Sequence, residues 1–84
     1  MDHREKLLAQ IVEAKGDANV GFEDLLHLLV RLGFEYRVRG SHHVFRKTGI
    51  PEKINLQRDG NKAKPYQVRQ VRTLIRRYHL ELRK

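Results

Sequence analysis

The residues with the most evident chemistry in this chain are two adjacent histidines, His42 and His43, which directly follow Gly40 and Ser41. Histidine can take and return a proton near neutral pH. Four permanent cations flank the pair along the chain: Arg37, Arg39, Arg46 and Lys47. Such cations hold a phosphate group and stabilise the charge that develops on it. The pattern therefore indicates chemistry on a phosphate backbone.

RNA cleavage is the reaction that these residue types permit most directly. RNA carries its own nucleophile, and a base that removes the 2′-hydroxyl proton lets that oxygen attack the neighbouring phosphorus. The products are a 2′,3′-cyclic phosphate and a 5′-hydroxyl, and no metal is needed. Adjacent strand residues point to opposite faces, so His42 and His43 cannot both serve one site. The alternative, that both are ordinary polar strand residues, stays open at this point.

Charge is distributed unevenly along the 84 residues, whose formal net charge is +8. Residues 1–32 carry 4 basic and 6 acidic side chains, whereas residues 33–84 carry 14 basic and 4 acidic ones. Segregation of this kind favours a polyanionic partner, most often nucleic acid, over simple solubility. A single domain of this size has a thin core, so a surface site is expected rather than a deep pocket.

Several function classes are excluded or disfavoured by composition. The chain has no cysteine, which excludes disulfides, thiolate metal sites and cysteine nucleophiles and suits the cytoplasm. No apolar run approaches the ~20 residues of a membrane span. The first residues lack the apolar region of a signal peptide. We therefore expect a cytoplasmic protein with no membrane association and no cofactor.

Hydrophobic periodicity predicts the elements that must position these residues. Asp2 is expected to cap the first helix, Gly33 to end the second, and Gly40-Ser41 to form a type II′ hairpin turn. In chain order the predicted elements are a helix over 3–15, a helix over 22–32, strands over 34–39, 42–47 and 53–57, and a helix from Pro65, with a turn at 48–51 and a loop at 58–61. This order predicts an α+β fold: two layers, with a three-stranded antiparallel sheet, helices on one face, and the other face open.

A second basic feature lies on and before the final helix. Arg69, Arg72 and Arg76 are spaced i, i+3 and i+7, so they share one helical face. Lys62 and Lys64 precede the helix, whose N-terminus favours anions. A solvated basic face is the ordinary alternative, but no acidic residue follows in the helix until Glu81, which makes phosphate binding at least as good an interpretation.

Three segments resemble the HicA (YcfA-like) family of bacterial toxins. They are Phe22-Glu23-Asp24-Leu25-Leu26, Leu32-Gly33-Phe34 and Gly40-Ser41-His42-His43-Val44-Phe45-Arg46. We expect one domain that spans residues 1–84, and the resemblance covers about residues 20–80 of it. The predicted helix over residues 3–15 is an N-terminal extension beyond the shortest members of the family. It departs from the family at Lys64-Pro65-Tyr66-Gln67, where a Lys-Pro-Gly-Thr type of helix start is common.

The resemblance implies a fold like the double-stranded RNA-binding domain, helix–three strands–helix. It also implies a toxin that cleaves mRNA in the cytoplasm, inhibits translation and is neutralised by a HicB-type antitoxin. The family's catalytic histidine directly follows Gly-Ser, which assigns the role to His42 and not to His43.

We therefore predict a metal-independent endoribonuclease whose partners are RNA and a HicB-type antitoxin, with His42 as the catalytic residue. Ten residues are expected to contact RNA: Arg37, Arg39, Ser41, Arg46, Lys47, Lys62, Lys64, Arg69, Arg72 and Arg76. Two alternatives stay open. One is a non-catalytic RNA-binding module of the same fold, and the other is an interaction subunit whose basic face docks an acidic protein.

Overall fold

A computed structural model describes residues 2–83 of the chain. Its elements, in order, are α1 (His3–Val12), a 3₁₀ turn (Asp17–Asn19), α2 (Phe22–Arg31), β1 (Glu35–Arg39), β2 (His42–Lys47), β3 (Ile50–Asp59), β4 (Lys62–Ala63) and α3 (Pro65–Tyr78). The strands form one antiparallel sheet in the order β1-β2-β3-β4. The expected α+β class is confirmed.

The helix ends follow local signals, with one difference from prediction. The Asp2 side chain accepts a hydrogen bond from the Glu5 backbone N–H at 2.9 Å, which caps α1 as expected. However, α1 ends at Val12 rather than at residue 15. Ala14 and Gly16 both adopt positive φ, at 58° and 79°, so the chain has already left the helical conformation there.

The sheet has one buried and one open face, which its register defines. Phe45 pairs with Ile54, and the fully buried Leu56 continues the same face two residues later. The helices cover this face, and the core extends from it to Val68 and Val71 of α3. Side chains on the opposite face are mostly exposed, so that face is free to meet a partner.

The prediction of three strands is wrong, because the sheet formed within residues 2–83 has four. β3 continues through Arg58 and Asp59, and a turn at Gly60-Asn61 leads into the short strand β4. Arg58 broke the apolar alternation in the sequence, yet it lies on the buried side. Its guanidinium stands 4.3 Å from the centroid of the Phe22 ring and pairs with Glu23, so its stem covers apolar surface while its charge stays exposed.

The turn predicted at 48–51 is also shorter than expected. Only Thr48 and Gly49 form the turn, and Ile50 already pairs with Lys47. The pairing shifts register between Phe45 and Lys47, opposite Pro51. A proline has no N–H to contribute to the ladder, so an irregular position is where a strand tolerates it.

The first helix is part of the core rather than an appendage. Ile11 is fully buried and Leu7 nearly so, and both belong to the same apolar cluster as α2 and α3. α1 packs against these two helices. Within residues 2–83, none of the helices has the length and apolar character needed to cross a membrane.

Candidate active site

His42 is positioned by the β1–β2 hairpin. The turn consists of two residues, with Gly40 at φ 59° and Ser41 outside the positive-φ region. A positive φ at the first turn residue alone matches the expected type II′ geometry, which suits the twist of the two strands. His42 is therefore the first residue of β2. It lies exposed on the open face, between Arg39 of β1 and Gln57 of β3 in the register.

A hydrogen bond to Asn55 orients the His42 ring. The Nδ1 atom of His42 lies 3.1 Å from the Oδ1 atom of Asn55, which is on the neighbouring strand. An amide oxygen only accepts, so the imidazole carries its proton on Nδ1 and donates it. In the neutral ring this leaves the Nε2 lone pair without a proton. The geometry thus prepares Nε2 to act as a base.

Ser41 is held in a similar way. The Nε2 amide of Gln57 donates a hydrogen bond of 3.1 Å to the Ser41 Oγ atom. Because the hydroxyl accepts this bond, its own hydrogen is free to donate to another acceptor, such as a phosphate oxygen. Ser41 therefore offers a neutral donor beside the imidazole.

His43 lies on the opposite face, as the alternation of the strand requires. Its ring meets the Phe22 ring edge-on, with centroids 4.9 Å apart, and stacks with Tyr36 at 6.0 Å. Its Nδ1 atom is buried without a hydrogen-bond partner among residues 2–83. The two histidines therefore do not share a site, and His43 packs between the sheet and α2.

The open face that carries His42 also carries a cluster of cations. Arg37, Arg39, Arg46 and Lys53 line a shallow depression of about 590 Å³ together with Glu35, Tyr36 and Val44, and Arg39 is the register partner of His42. Within residues 2–83, none of these four has a carboxylate within 4.0 Å of its charged nitrogens. Unpaired cations gathered on one face attract a polyanion strongly. The structure thus places three of the predicted RNA contacts on the same face as His42, with Arg39 directly opposite it in the register.

Three residues of this site were missed by sequence reasoning: Lys53, Asn55 and Gln57. They alternate with Ile54 and Leu56 on a strand that was predicted, so the period of two already placed them on the open face. What the sequence lacked was the register between β2 and β3, which brings Asn55 to His42 and Gln57 to Ser41.

Four other predicted contacts lie away from the histidine. Lys47 is at the far end of β2, beside Gly33. Lys62 donates to the Asn19 side chain at 3.2 Å. Lys64 is the N-cap of α3, and Arg69 is exposed on that helix. These cations extend the basic surface but do not surround His42.

The predicted solvent-facing stripe of arginines on α3 is wrong for Arg72. Arg72 is 9% exposed, its Nε atom donates to the Ile11 carbonyl at 2.7 Å, and its guanidinium pairs with Asp17. Arg76 donates to the Val12 carbonyl. Both arginines thus satisfy carbonyls at the C-terminus of α1, where a helix favours cations. The packing of α1 on α3, which the sequence did not reveal, buries Arg72, whereas Arg76 stays exposed while it bonds the end of α1.

The fold and site together define a small α+β protein with an exposed, oriented imidazole on a basic sheet face. The sequence model of the family described as HicA toxin of bacterial toxin-antitoxin systems matches residues 22–78. The chain therefore belongs to the HicA toxin family. Comparison with curated proteins and with solved structures finds no match for this chain.

Proposed function

We propose that this protein is the toxin of a bacterial toxin–antitoxin system and acts as a metal-independent endoribonuclease on mRNA in the cytoplasm. One observation carries the proposal: the imidazole of His42 is oriented by Asn55 and stands on a face of cations that have no carboxylate partners within residues 2–83. Membership of the HicA toxin family supports the toxin role.

In the proposed reaction, the Nε2 lone pair of His42 accepts the proton of an RNA 2′-hydroxyl. The 2′-oxygen then bonds to the adjacent phosphorus, and the bond from phosphorus to the 5′-oxygen breaks. The leaving 5′-oxygen keeps the bonding electron pair and takes a proton from water. The imidazolium later returns its proton to solvent. One such general base contributes about 10²–10⁴-fold to the rate.

The surrounding groups stabilise the extra negative charge of the pentavalent phosphorus. Arg39 is the register partner of His42 across the β1–β2 pair, so their Cβ atoms are about 4.5–5.5 Å apart. Its guanidinium and the Ser41 hydroxyl are suited to donate to the non-bridging phosphate oxygens. Arg37, Arg46 and Lys53 are proposed to hold the flanking strand of RNA.

Cleavage by purified protein in EDTA tests this proposal. Parent, His42→Ala and His27→Ala proteins are incubated with mixed-sequence RNA, and the product ends are identified. His27 is an exposed histidine on α2, so its variant is the matched control. We expect 2′,3′-cyclic phosphate ends from the parent and from His27→Ala only. Equal cleavage by His42→Ala would refute the catalytic assignment, and RNA binding without cleavage would favour the non-catalytic module.

We also propose that a HicB-type antitoxin binds at the sheet edge formed by β1. The outer edge of β1 has no strand paired with it among residues 2–83, and its Tyr36 and Val38 side chains are 41% and 56% exposed. An added strand would satisfy this edge and cover both side chains. Val38→Asp is expected to weaken co-purification with a HicB-type protein from the same source. Unchanged co-purification would rule out this edge.

A further inference from the structure

The segment after α3 folds back onto the body of the protein and fixes Arg83. Leu80 and Leu82 pack against the core. The Arg83 backbone N–H donates to the Arg31 carbonyl at 2.7 Å, and the Arg31 guanidinium donates to the Arg83 carbonyl, also at 2.7 Å. These bonds hold the backbone of Arg83 and leave its side chain available for another contact.

The Arg83 side chain converges with that of Lys47 above Gly33. A Cβ atom built on Gly33 would lie 2.5 Å from the Lys47 Nζ atom and 2.9 Å from the Arg83 Nε atom. Gly33 also has a φ of 101°, which favours glycine. The missing side chain at this position thus lets two cationic groups approach one another closely enough to bind the same oxyanion.

Among the described residues, 2–83, the two cations have no acidic partner. Within residues 2–83, no carboxylate lies within 4.0 Å of either charged group. Both line a depression of about 330 Å³ together with Arg46 and Thr48; Glu35 lines it as well but forms no ion pair there. Like charges held together repel one another, and a bound anion relieves that repulsion.

This depression adjoins the one lined by Arg37 and Arg39. The two share Glu35 and Arg46 in their linings. His42 and Lys47 are the two ends of β2, so about 16 Å separates their Cα atoms. This distance is longer than the spacing of neighbouring phosphates in an RNA strand, so the two sites would contact phosphates that are not adjacent.

We propose that Lys47 and Arg83 form a second phosphate-binding subsite, which holds a backbone phosphate of the RNA several nucleotides from the bond that is cleaved. The inference rests on the proposed function, since it names a further contact of the same substrate. Arg46 bridges the subsite and the region of His42. The subsite gives long RNA an advantage over fragments too short to reach it.

RNA binding by variants in a His42→Ala background tests the subsite without cleavage. Arg83→Ala is compared with Lys6→Ala, which removes the same charge from the exposed face of α1. For long single-stranded RNA we expect Arg83→Ala to bind about three- to tenfold more weakly at low salt. The plot of the logarithm of the RNA association constant against the logarithm of salt concentration should become less steep by about 0.7, which corresponds to the loss of one phosphate contact. Dinucleotide binding should not change.

Binding of long RNA by Arg83→Ala equal to that of Lys6→Ala would overturn the subsite and leave the proposed function intact. If Arg83→Ala weakened binding of a HicB-type protein but not of RNA, the subsite would likewise be overturned and the proposed function left intact. If the parent binds no RNA, the proposed function fails, and titration of ¹⁵N-labelled protein with inorganic phosphate decides the subsite separately. Amide shifts concentrated at Gly33 and Thr48 would support it, and their absence would overturn it. The backbone bonds of Arg83 persist in the alanine variant, and its unfolding curve checks this.

Discussion

Replacement of Asn55 tests whether the orientation of His42 matters for cleavage. The hydrogen bond between the His42 Nδ1 and Asn55 Oδ1 atoms is 3.1 Å long, neutral and exposed. Such a bond has a net value of about 0.5–1.5 kcal/mol. If all of it is lost from the transition state, Asn55→Ala slows cleavage about 2- to 13-fold. The free energy of unfolding of Asn55→Ala should differ from that of the parent by no more than about 0.5 kcal/mol, because the His42 and Asn55 side chains are both exposed.

The Asn55→Asp variant gives a second, independent readout. A carboxylate beside the ring favours the protonated imidazole. Since the base must be unprotonated to act, the acidic limb of the pH–rate profile should move to higher pH than in the parent. Asn55→Ala introduces no such charge and should not move the acidic limb in that direction.

The assay is single-turnover cleavage with protein in saturating excess over RNA, so that weaker binding by the aspartate variant does not enter the rate. His42→Ala sets the lower limit, about 10²–10⁴-fold below the parent. A parental rate for Asn55→Ala together with an unshifted profile for Asn55→Asp would refute the orientation of His42 by Asn55. Loss of folding in either variant would contradict the exposed position of this pair.

Two further predictions concern stability. Arg72→Ala should destabilise the protein by about 2–4 kcal/mol in urea unfolding, because it leaves the Asp17 carboxylate without its partner. Arg69 is exposed, so the control variant Arg69→Ala should change the free energy of unfolding by no more than about 0.5 kcal/mol. Similar losses in both variants would contradict the burial of Arg72. The hydrogen bond from the Tyr78 hydroxyl lowers the pKa of Glu52 below its ordinary value of 4.5. The stability that this bond gives the folded protein is therefore complete above pH 4.5 and is lost as pH falls through the lowered pKa of Glu52. Tyr78→Phe should therefore be less stable than the parent at neutral pH, with a gap that narrows below pH 4.5, and a gap independent of pH would argue against this bond.

Much of the local structure followed from the sequence because its signals act over short distances. Asp2 caps α1, and Gly40 supplies the positive φ that the hairpin turn needs. The period of two in β2 placed His42 and His43 on opposite faces, which the structure confirms through the packing of His43 against Phe22. Such features depend on a few neighbouring residues, so the chain specifies them without reference to the rest of the fold.

The sequence misled where a charged side chain had a tertiary partner. Arg58 suggested the end of β3, but it covers Phe22 and pairs with Glu23, so the strand continues and a fourth strand forms. Arg72 suggested a surface for RNA, but it is buried beside α1. The period of a helix shows which residues share a face, but it does not show which neighbouring element packs against that face.

By itself, the sequence determined the basic character of the C-terminal part and the placement of His42 and His43 on opposite faces of one strand. The tertiary structure decided which of the two histidines lies on the open face and which groups meet His42. Strand register brought Asn55 to His42, and the return of the chain after α3 brought Arg83 to Lys47. These contacts join residues 13 and 36 positions apart, respectively. Residues so far apart meet only when the whole chain has packed, because the burial of a shared core sets how the elements lie against one another.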